Sequence, residues 1–238
     1  MHVTAVVVAG GLGRRIGGSL PKQFQPLDGV PILARTLRQL TGPPIVDAVV
    51  VVVPPGFEDR CQQRVVAAYR IPRVEAIIPG GTDRQESVFL GIQRATAATD
   101  VILIHDGVRP FVCPELLQRI VESAWDYGAA VAAVPVRETV KVVDGAGCVV
   151  STPDRRGLWL AQTPQAFRAA VIREAHRVAR ADGVLATDDA ALVERMHKTV
   201  RVVEGSVDNI KITTPQDLDH AREILSRWER VDAGRHRV

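Results

Sequence analysis

Aromatic residues make up only 4% of this 238-residue chain, which leaves few rings on which single-stranded nucleic acid could stack. The net charge of +3 and a calculated pI near 9.0 would otherwise point that way. However, Lys and Arg are mostly interleaved with Asp and Glu, and part of the excess lies in the terminal "RWERVDAGRHRV". Small anionic substrates account for that balance equally well, so no nucleic-acid partner is expected. Cysteine is rarer still. Cys61, Cys113 and Cys148 are far apart, odd in number and form no C-x-x-C, the pattern of reduced thiols in a cytoplasmic protein. No stretch approaches the roughly 18 apolar residues of a membrane span. The opening "MHVTAVVVAGG" has no basic region and no small-residue cleavage site, so it reads as a buried strand and not a signal peptide. Repeats, low-complexity tracts and long linkers are also missing.

What is present is ordinary for a globular protein, with 46% hydrophobic and 24% charged residues. The length suffices for one large α/β domain or two small ones. Strand-like β-branched runs occupy Val3–Val8, Ala48–Val53, Val74–Ile78, Val101–His105, Ala129–Val134 and Val200–Val203. Between and after them lie amphipathic segments near Ile32–Leu40, Phe57–Tyr69, Gln85–Ala97, Pro114–Tyr127, Arg168–Ala181, Asp188–Met196 and Pro215–Arg227. Nearly continuous apolar strands alternating with helices predict a three-layer, mostly parallel, doubly wound α/β sheet. Such sheets bind ligands beyond the carboxyl ends of their strands. Three polar loops sit there: "AGGLGRR" after Val8, "GGTDR" after Pro79 and "HDGVRP" after Ile104. The stretch Pro135–Leu158 breaks the rhythm. Its runs Thr139–Val143 and Cys148–Ser151 flank "DGAG", a hairpin signal, and its valines have few neighbours of their own. A homodimer joined through this arm is expected.

The glycine-rich loop fits neither familiar phosphate pattern. Lys22 lies four residues beyond Gly18 and is followed by Gln23, which fails the P-loop; Ile16 stands where G-x-G-x-x-G needs its third glycine. What survives is physical. Gly10, Gly11 and Gly13 let the backbone turn and point N–H groups at an anion, Arg14 and Arg15 follow at once, and Pro21 stiffens the approach to Lys22. A plain connector with solvated arginines is the alternative.

"AGGLGRRIGGSLPKQF" resembles the G-x-G-x-R…P-K signature of sugar-type nucleotidyltransferases, in particular the 2-C-methyl-D-erythritol 4-phosphate cytidylyltransferase family. The likeness continues through "PGGTDRQESV", "HDGVRPF", "PVRETVK", "RRGLWLAQTPQAF", "TDDA" and "DNIKITTPQDL", in order along nearly the whole chain. It departs slightly at Gly10, at Gly107-Val108 and in "TDDA", where T-D-E-A is common; no charged group is lost. The resemblance implies a single Rossmann-like nucleotidyltransferase domain over 1–238, with a dimerisation arm at about 136–158. It implies transfer of the cytidylyl group of CTP to a polyol phosphate, with Mg²⁺ as cofactor. Arg15 and Lys22 would stabilise charge on the triphosphate, and Arg155 and Lys211 would position the acceptor phosphate, with Arg109, Thr139 and Thr163 as further contacts. Ala9, Gly10, Gly11, Gly13, Gly81, Thr82 and Ser87 would bind the nucleotide, with Arg84 supporting the phosphate side or the loop. Asp106 and Asp208 would hold the metal. If the arm crosses to a partner, Thr139 and Arg155 complete the partner's site. Two polyanions must be joined, so placed cations are the first need, and no Ser-His-Asp or Cys-His arrangement is present. Ribitol 5-phosphate cytidylyltransferases share the glycine loop, P-K-Q and "NIKITTP", but "PVRETVK" and "RRGLWLAQTPQ" look closer to the methylerythritol enzymes. A dinucleotide-binding dehydrogenase is a more distant alternative, disfavoured by the failed G-x-G-x-x-G.

Overall fold

The computed structural model describes residues 1–11 and 20–235, with side chains through residue 228. The strands are β1 (Val3–Val8), β2 (Pro26–Leu27), β3 (Val30–Pro31), β4 (Ala48–Val53), β5 (Val74–Pro79), β6 (Val101–Asp106), β7 (Ala129–Pro135), β8 (Val142–Val143), β9 (Val149–Ser151), β10 (Trp159–Arg168) and β11 (Arg201–Glu204). The helices are α1 (Ile32–Thr41), α2 (Glu58–Cys61), α3 (Arg84–Arg94), α4 (Pro114–Tyr127), α5 (Ala169–Ala181), α6 (Asp189–Arg195) and α7 (Pro215–Arg235). Most boundaries fall within three residues of the sequence pattern. The exceptions are α7, which runs on to Arg235, and α2, which widens into a π-type turn over Gln62–Ala67.

β-branched side chains favour pleated backbone, and "VTAVVV", "AVVVVV" and "VILIHD" are buried along nearly their whole length. They form the middle of a seven-stranded sheet ordered β11-β7-β10-β6-β1-β4-β5. β1 runs parallel to β4 and β6, β4 to β5, and β7 to β11. Successive residues of β1 serve opposite layers. Val3, Ala5 and Val7 join Leu33 and Leu37 of α1 and Leu116 and Ile120 of α4. Val6 joins Val88 and Ile92 of α3, Ile172 of α5 and Leu192 of α6. Each Val, Leu or Ile among them contributes about 1.5–3 kcal/mol when fully buried. On α4, Pro114 opens the first turn, and Gly128, at φ +94°, closes the helix in a conformation that side chains resist. The mostly parallel three-layer sheet is therefore the one the sequence implies.

β10 departs from that reading. "WLAQTPQAFR" carries a proline and three polar residues mid-run, which argues against a central strand. Yet it lies between β6 and β7, antiparallel to both. A register shift between Ala161 and Gln165 takes the cis Thr163–Pro164 pair out of the β7 ladder, so the missing proline N–H leaves no gap there. Gln162, Thr163 and Gln165 are all buried.

Two further pieces frame the site. α7 packs Ala221, Ile224 and Leu225 onto Leu27, Ile32, Val108 and Phe111, and Ile212 N donates to Val108 O at 3.0 Å. The segment ahead of α7 is thereby fastened beside the end of β6. β8 and β9 form a separate hairpin whose Val142, Val143, Val149 and Val150 are all exposed.

Gly91 of α3 faces β1, and a Cβ there would lie 2.3 Å from Val6 Cγ1. Gly91→Ala gains up to about 1 kcal/mol of helix propensity, but the overlap forces α3 off the sheet at a cost of about 1–3 kcal/mol. We expect a net loss of about 1–2 kcal/mol, read as a lower urea midpoint at unchanged m-value. A variant as stable as the parent would contradict this packing.

Candidate active site

The three strand-end loops converge on one cleft of about 240 Å³, completed by Lys22 and Lys211. Each loop is fixed by ordinary bonds. After β1, Ala9 N donates to Val52 O at 2.7 Å, and Ala9 O accepts from the buried amide of Gln23. Gln23 and Phe24 are buried in the turn Lys22–Phe24, and Phe24 stacks on Phe57 at 5.5 Å. Two anchored neighbours therefore set Lys22 at the rim.

After β5, a capping box shapes the loop. Asp83 Oδ1 accepts from Glu86 N, and Glu86 Oε2 accepts from Thr82 N and Oγ1, each at 2.8 Å. Those Thr82 bonds hold the Glu86 carboxyl below its usual range. Ser87 Oγ donates to Asp83 O at 2.8 Å and accepts from Gly81 N at 3.1 Å. Thr82 and Ser87 line the cleft, and their side chains also tie its wall together.

Asp106, 5% exposed at the end of β6, is the electrostatic centre. Its Oδ2 lies 3.1 Å from both Lys211 Nζ and Arg109 Nε, and its Oδ1 is 3.9 Å from Arg84 Nε. Burial pushes the carboxyl pKa up, but Lys211, Arg109 and Arg84 outweigh it and hold the group at about 2. The bulge in β10 faces Asp106, and Thr163 Oγ1 accepts its backbone N–H at 3.0 Å. Arg109 also donates to Asn209 O at 2.7 Å, and Asn209 donates to Thr163 O at 2.8 Å. On the other side, Arg84 Nη1 lies 2.8 Å from the buried carboxylate of Asp189.

Ten sequence-predicted residues thus line the cleft together: Ala9, Gly10, Gly11, Lys22, Gly81, Thr82, Arg84, Ser87, Asp106 and Lys211. Arg109 and Thr163 reach it through Asp106. Thr139 and Arg155 are exposed on the arm, where Arg155 donates to Arg137 O, and neither lines this chain's cleft. Asp208 Oδ1 lies 2.8 Å from Arg227 of α7, also outside the lining. Gly13 and Arg15 fall outside the described residues. Sequence reasoning gave no role to Gln162, Gln165, Asp189 and Asn209. Their one signal was polar residues inside the "QTPQ", "TDDA" and "DNIK" motifs.

Among the described residues, no three His, Cys, Asp or Glu side chains gather as a metal cage. Asp106 suits a different arrangement. A single ionised carboxylate lining the cleft would suit a hard divalent cation otherwise bound by substrate phosphates and water. Asp208 would have to leave Arg227 to share it.

His105 precedes Asp106 and is fully buried, with Nε2 3.0 Å from Arg109 O. Burial lowers its pKa from 6.5 to about 4. The unfolded chain therefore binds the extra proton first, and stability falls as pH drops from about 6.5 toward about 4. Asp106 acts lower, since its contribution is complete above 3.8 and is lost as pH falls through about 2. We expect His105→Gln to remove about 2 kcal/mol of the stability lost between about pH 7 and about pH 5, read from urea midpoints. Equal losses in parent and variant would refute the neutral, buried imidazole.

A family model described as IspD, 2-C-methyl-D-erythritol 4-phosphate cytidylyltransferase, matches residues 3–227. The chain is 49% identical to the 2-C-methyl-D-erythritol 4-phosphate cytidylyltransferase of Geobacter metallireducens, over 94% of this chain and 98% of that one. The fold matches the crystal structure of 4-diphosphocytidyl-2C-methyl-D-erythritol synthase from Anaerococcus prevotii with a TM-score of 0.84, at 28% identity over 94% of this chain and 96% of that chain. The Thermus thermophilus cytidylyltransferase structure gives a TM-score of 0.75 at 34% identity, over 94% of this chain and 98% of that one. With its cleft at the expected strand ends and these relatives along nearly its full length, the chain belongs to the 2-C-methyl-D-erythritol 4-phosphate cytidylyltransferase family.

Proposed function

We propose that this cleft transfers the cytidylyl group of CTP to 2-C-methyl-D-erythritol 4-phosphate, giving 4-diphosphocytidyl-2-C-methyl-D-erythritol and pyrophosphate in non-mevalonate isoprenoid precursor synthesis. The observation that carries the reading is the ring of Lys211, Arg109 and Arg84 about Asp106, facing a cleft that Lys22 also lines. An ionised phosphate oxygen of the acceptor attacks the α-phosphorus. The new P–O bond forms as the α–β bridging bond breaks, and pyrophosphate leaves with the electron pair. The nucleophile arrives already ionised, so the protein's task is to offset repulsion, about 4 kcal/mol for each unit-charge pair at 4 Å and an effective dielectric of 20.

The resemblance assigns the roles, and the lining of the cleft supports them. Lys22 meets the charge that develops on the triphosphate, and the resemblance gives Arg15, outside the described residues, the same task. Lys211 lies at the cleft with its ammonium partly exposed, within reach of an incoming acceptor phosphate. Backbone groups at Ala9, Gly10 and Gly81 face the base. Asp106 would hold Mg²⁺, which neutralises phosphate oxygens when bound. Arg109 and Thr163 keep Asp106 in place. The exposed valines of β8 and β9, with Trp159 and Leu160, support a homodimer in which each arm brings Thr139 and Arg155 to the partner's cleft. A cytoplasmic location suits three unpaired cysteines. Among the described residues, no helix is long and apolar enough to cross a membrane.

Pyrophosphate release with CTP, Mg²⁺ and each polyol phosphate tests the reaction. Turnover is expected with 2-C-methyl-D-erythritol 4-phosphate, and faster turnover with ribitol 5-phosphate would overturn the acceptor. Lys22→Ala should lower kcat by about 10²–10³ at an unchanged melting temperature; near-normal rates would remove Lys22 from the chemistry.

The arm is tested by mixing Lys22→Ala and Arg155→Ala chains. If arms cross, half of the dimers are mixed and one of their two clefts is intact, so about a quarter of parental activity should return. If Arg155 serves its own cleft, every cleft carries a lesion and no activity returns.

A further inference from the structure

Arg84 is the first residue of α3, directly after the loop that carries Gly81 and Thr82. Its side chain is 30% exposed and lines the cleft, so an unrestrained guanidinium could swing into water. What restrains it comes from the opposite end of the chain. Asp189, on α6, is 1% exposed, and its carboxylate lies 2.8 Å from Arg84 Nη1 on one oxygen and 3.1 Å from His176 Nε2 on the other. His176 is itself buried on α5. The start of α6 is fixed by the central strand, because Gln165 Oε1 accepts from Asp189 N at 3.2 Å and Ala190 N at 3.1 Å. The amide of Gln165 donates to Asp188 Oδ2 at 2.8 Å, and Asp188 Oδ1 caps Ala191 N at 3.0 Å. Asp189 therefore has little freedom, and Arg84 is held between it and Asp106.

We propose that Asp189 is a positioning residue for the nucleotide half of the cleft, holding the Arg84 guanidinium where the CTP triphosphate is bound. A buried carboxylate that served stability alone would do better paired inside the core or replaced by an apolar side chain. This one makes its shortest contact, 2.8 Å, with an arginine that opens onto the cleft. The inference rests on the function proposed above. Arg84 then binds the triphosphate equally in ground state and transition state, so loss of its orientation raises KM and leaves kcat.

The test is a double-mutant cycle on the full-length enzyme, with CTP affinity also measured by calorimetry. Asp189→Asn, close in shape, should raise KM and Kd for CTP by about 10–100-fold, the usual effect of residues that orient a site's own ligands. kcat should stay within about threefold, and KM for the acceptor should not move. Arg84→Gln should give the same CTP defect. In the Arg84→Gln background, Asp189→Asn should add nothing further. A purely structural role predicts losses in kcat, acceptor KM and active fraction alike, persisting in that background; that result overturns the proposal. Should Asp189→Asn not fold, the partly exposed Arg84→Gln still decides, because unchanged CTP affinity in that variant also overturns it. CTP binding by the parent with turnover of a different acceptor would correct the acceptor and leave Asp189 in its role. No CTP binding by the parent would overturn both.

Discussion

Burying a carboxylate without partners costs several kcal/mol, and removing one member of an established buried pair costs about 3–5 kcal/mol. Asp106 sits at the end of a central strand, where water can offset almost none of that cost, so the surrounding chain must do so. Arg109 comes from the same loop, Lys211 from the segment ahead of α7, and Arg84 from the start of α3. The pairings with Lys211 and Arg84 draw two distant parts of the chain to one point. Keeping Asp106 ionised and assembling the cleft are thus one structural event. The cations outweigh burial and hold its pKa at about 2.

The strand beside Asp106 makes that assembly specific. β10 gives up part of its ladder at the Thr163–Pro164 pair and uses side chains in its place. Thr163 accepts the Asp106 N–H, Gln162 donates to Ser206 O at 2.8 Å, and Gln165 holds the start of α6. Buried polar groups are costly when unsatisfied and rigid when satisfied. One strand thereby fixes the end of β6, the start of α6 and the segment at Ser206 to one another.

Most of the scaffold was legible because its signals are local. β-branched runs form β1, β4 and β6, and the loops after β1, β5 and β6 meet as strand-end placement requires. β10 was not legible, since its proline and glutamines carry the composition of a turn and only tertiary bonding makes them a strand. Asp189 was equally hidden, because its use depends on α6 meeting α3. The pairing of Asp208 with Arg227 needs the packing of α7, which no motif near Asp208 announces. Thr139 and Arg155 entered through the resemblance alone, and within one chain they stand on an exposed arm apart from the cleft lining.

The cations of this cleft are lent to protein carboxylates before any substrate arrives. Arg84 lies between Asp189 and Asp106, while Arg109 and Lys211 share one oxygen of Asp106. Unpaired, these groups would repel one another and drift toward water. Paired, they are held in place at the cleft wall, so little reorganisation remains when a polyanion binds. Asp189 is 1% exposed and lies behind the cleft, whereas Asp106 lines it. The two carboxylates therefore divide the work: the buried one braces Arg84 from behind, and the one at the strand end gathers Arg109 and Lys211 on a single oxygen.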